Sequence, residues 1–435
     1  MEKVKSFFKL KAYGTNIQTE IIAGISTFLA LSYIFVVNPA ILSEGGMNKS
    51  AVLFATVITS ALATLAMGLW AKKPFVLAPG LEMNSYAVYY IILALGFTWQ
   101  NALGIVFWSG VLFMIFTLTK IREKIIIAIP DSLKVGLAAS VGVFLMIIAL
   151  KLSGILIYDG VNIQSIGKLL SSKTLIFAIS LFLVIIFNKI KIKGSVLLSI
   201  ILATIIAHLI GLKPTSTSAI QVNKEMFNAI LKLDITSILN PHLLSALIIL
   251  FVIDFYGSIA KFIGLTMNTS IVDKNGKLPK MKETLSVDGY ATLVGATLGT
   301  TSVTTYVESG VGIGVGGRTG LTAVICALLM LLFIPLAPLV NLVPIEATTG
   351  ALFLVGLNLI PKYKEIKTWR LIESISVGLM IIVTFITFSL DKAMLIGFAT
   401  FITGMIIKRN LKEINTFLLI STLLILIATI FSLSE

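Results

Sequence analysis

The sequence predicts an all-α polytopic membrane protein, and three observations carry that expectation. Hydrophobic residues make up 57% of the 435-residue chain and charged residues only 12%, against about 45–50% and about 25% in soluble domains. Apolar runs near the length of a bilayer crossing recur along the whole chain. Lysine and arginine gather in alternate inter-span segments. The same composition excludes a disordered chain, which is apolar-poor and charge-rich. With 11 prolines and 33 glycines, a collagen-like or low-complexity protein is excluded too. The net charge of +14 would suggest nucleic acid in a soluble protein; here it belongs to cytoplasmic loops, so no nucleic-acid partner is expected.

The elements follow in order. A basic start (Lys3, Lys5, Lys9, Lys11) precedes a long first span with no small-residue cleavage pattern, so no cleavable signal is expected. Spans are expected near 20–42, 50–71, 75–95, 99–119, 134–150, 174–188, 194–211, 243–267, 286–299, 302–317, 319–341, 344–361, 372–389 and 391–407. A further hydrophobic segment, 413–435, carries the apolar run 415–432. With the N-terminus cytoplasmic and alternating crossings, 25 basic residues fall inside and 8 outside, with Lys261 within a span. Losing one span would invert everything after it and destroy the bias, so the charges favour fourteen.

The polar loop 212–242 then separates a first repeat, 1–211, from a second, 243–412. Seven spans on each side make the two repeats inverted in the membrane. A matching spacing supports this: Pro130, Gly136 and Gly142 at span five, and Pro344, Gly350 and Gly356 at span twelve, both read P-x5-G-x5-G.

Spans three and ten are expected to be discontinuous. Pro79-Gly80 breaks the former; in the latter, the polar, β-branched run from Ser302 to Tyr306 precedes six glycines between Gly310 and Gly320. Non-helical backbone at membrane depth must be buried in protein or line a cavity. Interrupted spans at corresponding places of two halves point to a binding site. The expectation is two short extended segments crossing at mid-membrane, each followed by a half-helix that offers free N–H groups to a ligand.

Charged groups at that depth are expensive and therefore informative. Asp254, in the apolar span eight, reads either as a partner of Lys261 on the same helix face or as a ligand or proton site. Glu308 stands at the start of the span-ten half-helix, as a cap or as a carboxylate aimed at the cavity. Asn84 holds the equivalent place in span three, and an Asn there is equally an ordinary cap. Glu82 is adjacent and faces the cavity or pairs with a lysine. Tyr86, Tyr256 and Tyr306 would stack on a flat ligand or fill core. Arg318 reads as a cytoplasmic anchor, and Glu20 and Asp288 as ordinary acids opening their spans. Cys326 reads as a small buried hydrophobe, and His208 and His242 lack metal-site spacing. GVGIGVGG lacks the context of a dinucleotide fold, and no Walker lysine motif occurs. No metal, cofactor or enzymatic nucleophile is expected.

The stretches EIIAGISTFLALSYIFVVNP (20–39), LAPGLEMNSY (77–86) and GATLGTTSVTTYVESGVGIGVGGRTGLTA (295–323) resemble purine permeases of the nucleobase–cation symporter-2 group. The similarity runs over nearly the whole chain and is greatest to the AzgA-like branch, which carries hypoxanthine, guanine or adenine. It implies fourteen spans in two inverted repeats, with a core domain (spans 1–4 and 8–11) moving against a gate domain (spans 5–7 and 12–14). It also implies proton symport of a neutral purine. The branch's substrate residues fall on Asn84, Asp254 and Glu308. This chain departs from the branch in three places: Gly257 stands where a second acid is usual, Ala260-Lys261 where a Gly-Thr pair is common, and Glu82 where a small residue is usual.

The sequence thus predicts a proton-coupled purine transporter of the cell membrane. Asn84, Asp254, Glu308, Tyr306 and Tyr256 would bind the substrate, with Asp254 and Glu308 coupling its transport to protons. Its expected partners are a small purine base, protons and the lipid bilayer, with a homodimer as an open alternative. A uracil or xanthine permease, an anion exchanger of the same architecture, and a channel remain competing readings. Two cavity carboxylates argue against anions by repulsion, and saturable, gradient-driven accumulation would separate a carrier from a channel.

Overall fold

The structure is a computed structural model; it describes residues 2–119, 130–159, 162–192, 194–212, 220, 222–266, 269–273, 278–362, 366–410 and 413–433. Its apolar runs become helices whose starts are fixed by polar caps. Asn16 caps α2 (Ile17–Leu31) by accepting from the Thr19 N–H, and α3 (Ile34–Glu44) follows after a break at Ser32-Tyr33. Asn48 caps α4 (Lys49–Ala66). Next come strand β1 (Leu77–Pro79), the short helix α5 (Leu81–Ser85) and a π-helical stretch, Tyr86–Ile92. A Thr98–Asn101 capping box opens α6 (Trp99–Leu118). At the N-terminus, the short α1 (Glu2–Phe7) precedes them all.

Helix α7 (Asp131–Leu152) leads into a hairpin of β2 (Leu156–Asp159) and β3 (Asn162–Ile166), then α8 (Ser172–Lys189) and α9 (Ser195–Leu209). No strand is expected in that connection, although its sequence carries a local signal for one: Ile155, Ile157, Tyr158, Val161 and Ile163 favour strand, and Asp159-Gly160 is a hairpin-turn dipeptide. Helix α10 (Leu244–Thr266), α11 (Met281–Leu298), strand β4 (Val303–Thr305), α12 (Ser309–Val315) and α13 (Gly320–Leu331) follow. The chain continues through α14 (Ile345–Asn358), α15 (Leu371–Thr387), α16 (Leu390–Ile407) and α17 (Thr416–Leu433). Each expected span coincides in position with one or more of these elements.

Six helical stretches among the described residues are long and apolar enough to cross a membrane: Ile17–Glu44, Lys49–Ala71, Trp99–Leu118, Asp131–Leu152, Ser172–Lys189 and Pro241–Ile259. Exposed apolar side chains such as Leu62, Phe182, Ile205 and Ile386 cover the outside, a surface suited to lipid rather than water. By packing, α2, α3, α4, α6, α10, α11, α12 and α13 gather around the two strands β1 and β4, while α7, α8, α9, α14, α15 and α16 pack among themselves. Helices α5 and α10 meet α7 where the two groups face each other.

The repeated P-x5-G-x5-G spacing has a structural counterpart. Pro130 and Pro344 each stand just before their helix, with ψ of 143° and 145°. The third residues of the motifs face one another: a Cβ on Gly142 would lie 2.4 Å from the Gly356 carbonyl oxygen, and one on Gly356 would lie 2.5 Å from that of Gly142. Helices α7 and α14 therefore touch backbone to backbone, as small residues permit. The middle residues match as well, with Gly136 against Val377 and Met380 of α15 and Gly350 against Ser180 and Leu181 of α8.

Candidate functional site

At the centre of the first group, β1 and β4 run antiparallel, with Leu77 opposite Thr305, Ala78 opposite Thr304 and Pro79 opposite Val303. Pro79 restricts Ala78 to extended backbone, and Val303, Thr304 and Thr305 are β-branched, so both segments resist helix formation. All six residues are buried, which is where irregular backbone is tolerated at membrane depth. The flanking backbone groups extend the ladder: the Gly80 N–H donates to the Ser302 oxygen at 2.9 Å and the Tyr306 N–H to the Val76 oxygen at 2.9 Å. The Val76 N–H donates to Ser309 Oγ at 3.0 Å and the Leu77 N–H to Thr64 Oγ1 at 2.9 Å. The partner strand and the Ser309 and Thr64 hydroxyls thus occupy these N–H groups. Free N–H groups were expected on the half-helices; in α12 those of Ser309, Gly310 and Val311 donate to the carbonyl oxygens of Tyr306, Val307 and Glu308.

What remains for a ligand is side-chain chemistry. Glu308 stands one residue before α12, and the break between α2 and α3 brings Tyr33 to it, whose hydroxyl donates to Glu308 Oε1 at 2.9 Å. Glu308 Oε2 is buried without a hydrogen-bond partner among the described residues. On α10, Asp254 is 2% exposed; its Oδ2 accepts from Thr292 Oγ1 at 2.9 Å, while Oδ1 has no partner among the described residues. A buried carboxylate oxygen left unpaired is costly, so each of these two atoms marks a place for a donor.

Asn84 is placed differently. Its side-chain amide donates to Asn38 Oδ1 and accepts from Thr301 Oγ1, and Asn38 donates in turn to Thr56 at 2.7 Å and to Thr300 at 3.0 Å. This buried network fixes α5 from behind. Tyr306 donates its hydroxyl to the Pro79 carbonyl oxygen and so locks β4 onto β1. The Tyr86 ring stacks on Tyr90 at 5.0 Å within the π-helical stretch. Tyr256 falls outside the residues whose side chains are described.

Of the other charged residues, Asp288 and Arg318 differ from their sequence reading, while Glu20 stands in the first turn of α2 as expected and serves a second helix as well. Asp288 does not open a span: it lies inside α11, fully buried, with Oδ1 accepting from Thr305 Oγ1 at 3.0 Å and Oδ2 from Ser258. Glu20, also fully buried, accepts from the N–H groups of Arg318, Thr319 and Thr322 and from the Thr322 hydroxyl, and thus caps the start of α13. A carboxylate there meets the positive end of the helix. Arg318 donates to the carbonyl oxygens of Ile313 and Gly317 at the end of α12, so it holds the half-helix rather than standing as a loop anchor. Lys261 pairs with Glu82, Nζ to Oε1 at 3.3 Å, so of the readings offered for these residues the pairing of Glu82 with a lysine is the one found. Tyr33 and Asp288, like Ser258 and Thr292, carry no sequence motif; a polar residue within an apolar run is the one signal that could have raised them.

Beside this constellation, between the two helix groups, lies a cavity of about 220 Å³. Its wall is mostly apolar, from Val135, Ala138 and Val141 of α7, Val252 of α10, Val307 and Leu359, with Lys134 and the Glu82–Lys261 pair as its polar part. A largely apolar pocket with a few converging polar groups is the usual form of a small-molecule site.

The model of the Permease family (Xan_ur_permease) matches residues 18–361. A putative permease, MJ0326, of Methanocaldococcus jannaschii is 37% identical over 415 residues, 95% of each chain. Adenine permease AdeP of Escherichia coli is 32% identical over 98% of this chain and 95% of its own. Guanine/hypoxanthine permease PbuO of Bacillus subtilis is 30% identical over 97% of this chain and 99% of its own. Among solved structures, the transmembrane domain of the cyanobacterial bicarbonate transporter BicA superposes with a TM-score of 0.64 at 18% identity, covering 87% of this chain and 97% of that domain. That likeness concerns the fold alone. By the family match and the near full-length relatives, the chain belongs to the Permease family.

Proposed function

We propose that the protein is a secondary active transporter of purine nucleobases that works by alternating access and proton symport in the cell membrane. The observation that carries this reading is the unpaired Glu308 oxygen at the start of the half-helix after β4. It is an acceptor held by Tyr33 and available to a ring N–H of a base. Asp254 offers a second unpaired oxygen on the neighbouring helix. A base held by such groups and by apolar walls needs no net charge, and two carboxylates repel anions. Relatives named as adenine and guanine/hypoxanthine permeases, similar over nearly the whole chain, support the substrate class.

In this reading the fourteen spans form two inverted repeats, and the group built on α7 and α14 moves against the group that holds the crossed strands. The reciprocal glycine contact of α7 and α14, with matched partners on α15 and α8, supports an internal two-fold relation. Asp254 and Glu308 take and release the coupling proton, while Asn84 and Tyr306 hold the two half-helices in place for the substrate. The cavity beside these residues lies where the two groups face each other, as alternating access requires.

Uptake of labelled hypoxanthine, guanine and adenine into proteoliposomes, with and without an imposed pH gradient, tests this reading. Saturable accumulation above the outside concentration, driven by an inward proton gradient, is expected. Purine uptake that ignores the gradient would remove proton symport, and no purine uptake would remove the substrate class.

A further inference from the structure

We propose that the Glu82–Lys261 pair is a specificity subsite that selects 6-oxopurines over 6-aminopurines, with the Lys261 ammonium donating to the adjacent O6 and N7 acceptors of the base. The proposal rests on the purine-transporter reading and narrows it.

The pair joins two elements of the site. Glu82 lies in α5, just after strand β1, and Lys261 lies on α10, seven residues beyond Asp254. Nζ and Oε1 stand 3.3 Å apart, and the two side chains keep 19% and 17% of their surface exposed. That residual exposure matters, because both residues line the cavity. Gly257, one helical turn before Lys261, lines it too, and a Cβ there would meet no atom within 4 Å. Open space thus lies on the same helix face as the ammonium. The other lysine on the wall, Lys134, is held 2.9 Å from Asp131 in the first turn of α7.

The charge of the pair decides the kind of ligand. An isolated ammonium in an apolar cavity would draw in an anion. Glu82 neutralises this one, so the pair presents donors without net charge and suits a neutral ligand with acceptor atoms. An ammonium has three N–H donors and no acceptor, and one donor faces Glu82. On a 6-oxopurine, O6 and N7 lie side by side and both accept, which is the pattern that lysine and arginine side chains read on guanine. On adenine, an amino group replaces O6 and would point its donors at the ammonium. A site built to pair a polar atom rejects the analogue that lacks it.

The experiment is competition against labelled hypoxanthine on the purified, reconstituted full chain, with unlabelled hypoxanthine, adenine and 7-deazahypoxanthine as probes. Hypoxanthine should bind about ten-fold or more tightly than adenine. The 7-deaza analogue, which keeps O6 but loses the N7 acceptor, should lose several-fold. In the double variant Lys261→Met/Glu82→Gln, which removes both charges together, the two preferences should shrink to within about three-fold. Equal or tighter adenine binding by the wild type overturns the assignment without any variant, as do unchanged preferences in the double variant. Failure of the wild type to bind any purine overturns the substrate reading itself, and the subsite with it.

Discussion

The span-three and span-ten segments share one backbone plan and differ in how their polar groups are satisfied. Each has three residues of strand, paired to the other, and then a short helix. On the span-three side, Asn84 both donates and accepts within a buried chain of amides and hydroxyls, and Glu82 is ion-paired. On the span-ten side, Glu308 has one oxygen held by Tyr33 and one left open. A fully satisfied buried network fixes position, and a half-satisfied one is a cost that a ligand can remove. The difference teaches that matching backbones can divide the labour: in the proposed reading Asn84 anchors the one half-helix, while Glu308 on the other keeps an acceptor open for the substrate.

The largest effect expected from this contrast is on binding. Glu308→Gln replaces one of two acceptor oxygens by a donor, and affinity for the favoured base should fall by about 10–100-fold, the range for hydrogen bonds to a charged group. Asn84→Ala should act on stability instead, by about 1–3 kcal/mol, because it strands Asn38 and Thr301 without their partner. Binding isotherms and thermal unfolding of both purified variants check this. If both substitutions cost the same in affinity, the two segments do not differ in role.

A smaller effect concerns how tightly each half-helix is seated. A Cβ on Gly312 would lie 2.1 Å from Thr27 Oγ1 and 2.9 Å from the Ala23 carbonyl oxygen, so α12 is wedged against the backbone of α2. At Gly80 the nearest atom, at 2.4 Å, is the terminal methyl of Met83, the flexible end of a side chain that can swing away. Gly312→Ala should therefore lower stability by about 1–3 kcal/mol, the usual cost of overpacking, and Gly80→Ala by clearly less. Thermal midpoints in detergent measure both, and a reversed order would mean that span three, not span ten, is the rigidly seated element.

The positions of the apolar helices were legible because burial in lipid imposes long apolar runs, and that signal is local. The two broken spans were legible for the same reason: Pro79-Gly80 and the polar run 302–306 disfavour a continuous helix. The pairing of β1 with β4 is a long-range fact about which the sequence is silent, and it consumes N–H groups that would otherwise serve a ligand. Asp288 was misread because its position near the start of an apolar run mimics a helix-opening acid; only the approach of Ser258 and Thr305 shows it to be interior. Tyr33 escaped notice because nothing at Ser32-Tyr33 announces the break that turns its hydroxyl toward Glu308. Glu82 and Lys261 stood out as unusual charges in apolar context, yet 179 residues separate them, and their contact belongs to the fold.

The smallest effect tests whether that contact helps to seat the span-three side. Glu82 and Lys261 are mostly but not wholly buried, and the cavity beside them admits solvent or ligand, so part of their attraction is screened. Replacing one partner leaves the other charge in an apolar wall, whereas replacing both removes attraction and burial cost together. Lys261→Met and Glu82→Gln should each lower the unfolding midpoint, and the double variant should lose less than the two single losses combined. The coupling expected for residues in contact is about 0.5–3 kcal/mol, and partial exposure puts this pair toward the low end. A lysine that merely snorkelled to the membrane surface would tolerate Met almost freely, and the two losses would then simply add. Additivity would mean that Asn84 and its amide network alone anchor α5, and that Glu82 and Lys261 meet without holding it.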